Sequence, residues 1–470
     1  MNERASVWEA YLPAERILTA AADRLVYDAD AVTLERVRPT AVLLVRSAAE
    51  ISAVVRHCNE HGIAFITRGA GTGLSGGAIA CGESVMIVTS GMNRIVEVNV
   101  AERWAIVECG VVNGALSREV RKHNLHFAPD PSSGAASSIG GNIAENAGGP
   151  HCLKYGATAE HVLGAEVVLA DGRIVWLGSE GESAPLLSLM IGSEGTLGIV
   201  TKAKVKLTPI AQAVETMLVD FPTPRDASET VSAIIASGIV PAALEMIDAE
   251  VLDALEEAFG LGFPTDAGAL LLVELDGAAA SLARLSKQVQ DICREHGART
   301  VRVAANDVER TSLWMARKKA FGALGRVSPS YYTQDGVIPR HALPDVLEEI
   351  YRIGKKFGLR IANIFHAGDG NLHPAILYDE RDPESVKTCL AASAEILKLC
   401  IAKNGSITGE HGVGIEKKEA LGWMFSGPDI EVMSRLRSAF NPGGLLNAGK
   451  FLPSDHPCME MGHKHRKVAV

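Results

Sequence analysis

Several features that would settle the class of this chain at once are missing. Its eight cysteines, Cys58, Cys81, Cys109, Cys152, Cys293, Cys389, Cys400 and Cys458, include no pair at Cys-x-x-Cys spacing. That argues against an iron–sulfur cluster or a cysteine-rich zinc site within the chain. An even count in so long a chain is no disulfide framework, and reduced cytosolic thiols are the simpler reading. Positive charge is not in excess either. With 46 Lys+Arg against 56 Asp+Glu the formal charge is -10, a poor match to a polyanion, so no nucleic acid is expected as a partner. No apolar run reaches the roughly 18 residues of a spanning helix. The opening stretch is broken by Glu3, Arg4, Glu9, Glu15 and Arg16 and lacks the uninterrupted apolar core of a signal peptide. The expectation is a cytoplasmic protein with no transmembrane segment, meeting a membrane only through a partner.

What is present is an ordinary globular mix, 47% hydrophobic and 22% charged, in 470 residues. That length is too great for one core and favours two or three domains. A βαβ unit opens near Pro39. Ala41–Val45 reads as a buried strand, and Ser47 with Glu50 reads as a capping box. Ile51, Val54, Val55 and Cys58 follow at helical spacing, Gly62 stands where a C-cap glycine belongs, and Ile63–Thr67 is the next strand. Short strands fill 85–110, a helix lies near 113–124, and strands follow at 162–176 and 197–208. From about 213 strands and helices alternate at greater length: a strand at 270–275, a helix over 281–296, a strand around Arg302, and helices near 307–324, 343–357 and 384–403. This half reads as an α+β domain with an antiparallel sheet. The tail, 451–470, is polar; His463 and His465 in it read as surface residues.

Three separated segments are rich in glycine, serine and asparagine. The first, Arg68-Gly69-Ala70-Gly71-Thr72-Gly73-Leu74-Ser75-Gly76-Gly77, follows a strand, where backbone amides can turn toward an anion without Cβ obstruction. It lacks the Lys-Ser/Thr of a P-loop. Alone it is equally an ordinary flexible turn. The second runs from Pro129 and Asp130 through Ser138, Gly140 and Gly141 to Gly148 and Gly149. The third, Ile191–Val200, contains Glu194 and Gly198 and ends in a strand. A single phosphate needs one such loop; three suggest a large cofactor with a pyrophosphate and a flat ring.

The second half carries the densest chemistry. The strand Ile361–Phe365 ends in His366, a tight turn Ala367–Asn371 follows, and His373 begins the return, which can bring two imidazoles to one side of a sheet. Glu410-His411 comes later, between glycines. Two His and a carboxylate form a divalent-metal set with open positions; the alternative is that both His are structural. Arg317 sits on a predicted helix. It is either a two-pronged carboxylate binder or a solvated arginine beside Lys318 and Lys319.

Together these segments resemble the vanillyl-alcohol-oxidase, or PCMH, family of flavoproteins, over nearly the whole chain. The resemblance implies a two-lobed PCMH-type FAD-binding domain with an N-terminal cap over 1–212, an α+β substrate domain with an antiparallel sheet and a C-terminal helical segment over 213–450, and the polar tail beyond. It implies FAD binding at Arg68, Gly69, Gly71, Thr72, Gly73, Ser75, Gly76, Gly77, Pro129, Asp130, Ser138, Gly140, Gly141, Gly148, Gly149, Glu194, Gly198, Val200 and, in the closing segment Asn441–Lys450, Asn447. Some relatives attach the flavin through a His where this chain has Thr72, so non-covalent FAD is expected. In the metal-dependent 2-hydroxyacid dehydrogenases of the family the matching ligands are His366, His373 and Glu410, with zinc, iron or manganese all suited. His411 is then the base and Arg317 the substrate-carboxylate arginine. The implied activity is oxidation of a small 2-hydroxyacid, glycolate or D-lactate. Members of this kind pass electrons through a second flavin-type chain and an iron–sulfur chain, which become the expected partners. A stand-alone D-lactate dehydrogenase, an electron-relay subunit without its own substrate, and a metal-dependent hydrolase are the alternatives. The hydrolase leaves the glycine-rich segments unexplained.

Overall fold

A computed structural model describes residues 7–453 apart from Thr33, Leu261 and Thr265. The terminal His463, His465 and Cys458 lie outside the described residues. The chain forms two compact units. One holds the described residues up to Ala147, then Ala157–Pro209 and those from Glu410 on; the other holds Gly148–Gly156 and Ile210–Gly409. The expected division assigns everything from 213 to 450 to the substrate domain. In the structure the residues from Glu410 on group instead with the first unit, because their backbone bonds to its loops, as described below.

The first unit has two main sheets. The smaller orders Ile17–Leu18, Ala41–Leu44, Val85–Val88 and Phe65–Arg68, with the last three strands parallel. The helix Ala48–His61 makes the crossover, ending at Gly62 in the left-handed conformation. Ser47 Oγ accepts the Glu50 amide at 3.2 Å, as a cap should. The other half of the expected capping box is absent. The Glu50 carboxylate takes the Arg46 amide in place of that of Ser47, oriented by a two-pronged ion pair with both terminal nitrogens of Arg16. The larger sheet is antiparallel, in the order Ile95–Asn99, Trp104–Glu108, Gly198–Lys206, Val162–Leu169, Ile174–Gly178. Leu116, Phe127, Ile139, Ile143, Val167 and Val205 are buried against it.

The second glycine-rich segment reads from sequence as a loop, yet it contains the helix Ile139–Glu145. Ser138 caps that helix through the Gly141 amide, and Ile139 and Ile143 bury on one face. Packing therefore overrides the poor helix propensity of Gly140 and Gly141.

The second unit is built on one antiparallel sheet, whose central order is Thr300–Val303, Ala213–Phe221, Ala269–Gly277, Ala243–Asp248, Ile361–His366. The short strands Asn371–Leu372 and Gly336–Val337 continue it. Helices Ala249–Phe259 and Asp307–Val327 bury Leu255, Leu313 and Leu324 with Leu270 and Ile364 of the sheet. Among the described residues no helix is long and apolar enough to cross a membrane.

Candidate active site

In the first unit the glycine-rich segments converge. A Cβ on Gly69 would stand 2.3 Å from Ser138 Oγ, so the first loop lies directly on the cap of the helix Ile139–Glu145. Asn447 joins the first loop to the third: its Oδ1 accepts the Thr67 amide at 3.1 Å and its Nδ2 donates to the Glu194 carbonyl at 2.9 Å. The Ile415 amide donates to the Ser75 carbonyl at 2.9 Å, and Lys450 Nζ to the Gly77 carbonyl. Arg68, nearly buried, donates to the Ala29 carbonyl at 2.7 Å.

Several residues expected at a cofactor have visible packing or bracing work. Glu194 accepts the amides of Val413 and Gly414 at 2.7 and 2.6 Å, clamping the chain just after His411. Gly198 allows its strand to approach Val167, and Val200 pairs with Val167 in the sheet. Gly148 and Gly149 group with the second unit. Among the described residues, buried Ser75 Oγ, Ser137 Oγ and Asn142 Nδ2 have no hydrogen-bond partner. Buried polar atoms need partners, so a surface of bare backbone edged by such atoms fits a large cofactor with both polar and flat parts.

The electrostatics here rest on buried carboxylates facing one another. Burial, the Glu194 charge and Asp30 push the Glu145 carboxyl well above the usual range. Burial also raises Glu194, against the pull of the Val413 and Gly414 amides, Lys417 and Lys450.

The second unit arranges its charges differently. Arg317, placed by the long helix, is buried and so is no solvated surface arginine. Its Nε donates to Glu245 Oε2 at 2.6 Å. The other carboxylate oxygen of Glu245 lies 2.7 Å from His366 Nδ1. Glu245 and His366 are directly paired across antiparallel strands, so their side chains share a face. Burial pushes the Glu245 carboxyl up, but the charges of His366 and Arg317 outweigh it and hold it below the usual range. An ionised carboxylate only accepts, so the His366 Nδ1 that faces it carries a proton.

The turn after His366 returns His373 to the same place. The two rings meet edge to face with centroids 5.0 Å apart. His373 Nδ1 lies 3.3 Å from the Gln334 carbonyl. Asp335, fully buried, accepts from Thr408 Oγ1 at 2.5 Å and the Gly409 amide at 2.9 Å. A Cβ on Gly409 would meet Asn371 and Val337 at 2.7 Å, so only glycine fits where the chain leads into Glu410. Two imidazoles, one already oriented through its Nδ1 by a carboxylate, are a donor set that suits a divalent metal.

Comparison with known proteins matches both halves of the chain, with the closing residues 410–451 falling in the second match. Residues 39–178 match the FAD binding domain family, and residues 210–451 match the family described as FAD linked oxidases, C-terminal domain. The chain belongs to the FAD-linked oxidases. It is 43% identical to the glycolate oxidase subunit GlcD of Escherichia coli K12, over 97% of this chain and 92% of that one. It is 32% identical to a D-lactate dehydrogenase of Anaerostipes hadrus, over 88% of this chain and 90% of that one. The structure of p-cresol methylhydroxylase with substrate bound superposes with a TM-score of 0.80 at 17% identity, covering 97% of this chain and 98% of that one. This last likeness bears out the PCMH-type fold. The protein is therefore an FAD-linked oxidoreductase.

Two residues of this oxidase escaped the sequence reading. Glu245 had a signal: it is an acid inside the apolar run Ala242–Ile247, which folds into a strand, Ala243–Asp248, whose every residue is buried. Asp335, between Gln334 and Gly336, looks like a turn residue and gave none.

Proposed function

We propose that this oxidase converts a small 2-hydroxy acid, glycolate ahead of D-lactate, to the 2-oxo acid, using non-covalent FAD. The observation that carries the reading is the buried Arg317–Glu245–His366 set, in a chain 43% identical to a glycolate oxidase subunit. When bound, FAD supplies the acceptor for the hydride from the substrate's C2. His366, His373 and Glu410 would hold a divalent metal (zinc, iron or manganese), whose positive charge would lower the pKa of the 2-hydroxyl. Arg317 holds the substrate carboxylate: Glu245 takes its Nε, leaving the edge between its two terminal nitrogens for a two-pronged grip. The imidazole of His411 takes the hydroxyl proton, work that suits a group titrating near neutrality. Thr72, where some relatives carry the flavin-linking His, supports non-covalent attachment. The absence of Cys-x-x-Cys pairs, and a close relative that is itself named a subunit, support flavin-type and iron–sulfur partner chains as the route by which electrons leave. Those partners also supply any membrane contact of a cytoplasmic chain.

D-lactate is the second reading, favoured by the D-lactate dehydrogenase relative. One methyl separates the two substrates, which an apolar pocket discriminates by only about 10–200-fold. The family resemblance implies that relatives taking larger diacids carry a further cationic residue around the position of Thr333, and its absence here disfavours 2-hydroxyglutarate. Steady-state reduction of an artificial dye by the FAD-loaded protein, with glycolate, D-lactate and 2-hydroxyglutarate in parallel, tests the assignment. The expected ranking of kcat/KM is in that order. No turnover with any of the three, in protein that retains FAD, contradicts it and brings the electron-relay alternative forward.

A further inference from the structure

We propose that Glu245 is a positioning residue that couples substrate binding to metal binding, because one carboxylate orients both the arginine that grips the substrate and a histidine that holds the metal. The inference rests on the function proposed above and adds a residue to it.

Each oxygen of Glu245 has one partner: Oε2 the Arg317 Nε at 2.6 Å, Oε1 the His366 Nδ1 at 2.7 Å. All three side chains are at most 6% exposed, so water cannot replace either bond. The strand register fixes Glu245 opposite His366, and Arg317 approaches from the helix Asp307–Val327. A carboxylate is planar. Turning it to improve one bond swings the other oxygen away from its partner, so the arginine and the imidazole adjust together. The bond at Nδ1 fixes the tautomer of His366 and makes its Nε2 a better donor to a metal. The bond at Nε fixes the plane of the guanidinium and therefore the direction of its substrate-binding edge. Linkage is reciprocal: whatever factor the metal adds to substrate affinity, substrate adds to metal affinity.

Glu245→Gln keeps the shape but turns one acceptor into a donor, so it can satisfy both partners only if the His366 proton moves to Nε2, the nitrogen that would hold the metal. In FAD-loaded protein stripped of metal, Co(II) affinity is measured by competition with a chelator, and the d–d absorption of bound Co(II) is recorded. The KM for glycolate is measured after reloading. Glu245→Gln should weaken Co(II) binding about 10–100-fold, shift the d–d bands, and raise KM about tenfold. Glu245→Asp, which keeps the charge on a shorter arm, should recover part of both. Arg317→Lys, which touches no proposed metal ligand but loses the Nε bond to Glu245, should weaken Co(II) binding about threefold or more through the shared carboxylate. A purely structural Glu245 would lower the melting temperature and leave Co(II) affinity and d–d bands unchanged in the folded fraction.

Co(II) affinity unchanged in Arg317→Lys, or either constant within twofold of wild type in folded Glu245→Gln, overturns the proposal. If Glu245→Gln does not fold, Glu245→Asp and Arg317→Lys decide by the same criteria. Wild-type protein that binds no Co(II) overturns it by a separate result, since there is then no metal to position. If Co(II) binds but no 2-hydroxy acid is turned over, the substrate assignment fails, and the Co(II) measurements still judge Glu245.

Discussion

The two units prepare their binding surfaces in opposite ways. The first clears side chains away: glycines let three loops and the closing segment lie against one another, and its buried carboxylates, Glu145 and Glu194, are pushed toward the neutral form. The second fills its centre with charge: Glu245 is as deeply buried, yet held ionised by Arg317 and His366. Burial alone therefore does not decide whether a carboxylate is charged. The partner facing it does. A backbone cradle suits a cofactor that stays, and an ion-paired, pre-oriented side-chain set suits a substrate that must be gripped and released.

The sharpest way to separate cofactor holding from substrate chemistry is at His411. His411→Asn should leave FAD bound and cut the rate of substrate-dependent flavin reduction about 10²–10⁴-fold. Rapid mixing with glycolate measures it, and unchanged reduction removes His411 from the proton-accepting role. A paired glycine experiment comes next. Gly140→Ala brings a methyl to 2.6 Å from Cys109 Cβ. It should destabilise the first unit by about 1–3 kcal/mol, less about 1 kcal/mol from alanine's better helix propensity, and should reduce FAD retention after gel filtration. Gly409→Ala should leave FAD retention intact and lower turnover, because the methyl displaces the chain leading to Glu410. Identical behaviour of the two variants would erase the distinction between the units.

The smallest expected effect concerns pH. The folded-state pKa of Glu145 is raised above its unfolded value. The folded protein then binds more protons than the unfolded chain over the window between the two values, and stability falls as pH rises through it. Glu145→Gln cannot titrate, so it should gain on wild type at pH 8 and match it near pH 4. Melting temperatures across that range measure it. Glu245 has the opposite sign: its contribution is present above its unfolded pKa and is lost as pH falls through the lower folded value.

These two kinds of surface were not equally visible in the sequence. Glycines cluster along the chain, so the loops at 68–77 and 191–200 announce themselves. So do His366 and His373, because only the six residues Ala367–Leu372 separate them. Helix ends were legible where local chemistry decides them, as at Ser47 and Gly62. Contacts made by distant residues were not legible. Asn447 meets Thr67 and Glu194, and Glu194 reaches Val413 and Gly414, across separations that no local pattern records. Glu245 finds Arg317 and His366 only once the sheet sets its register. The half-formed capping box at Glu50 makes the same point, since Arg16 reaches it from another element.

The most direct test is an anaerobic absorbance spectrum of the purified protein before and after glycolate is added. The visible flavin band should be present at the start and bleach on addition, with D-lactate bleaching it more slowly. A flavin band that neither acid bleaches would contradict the proposed oxidation while leaving the FAD-linked fold intact.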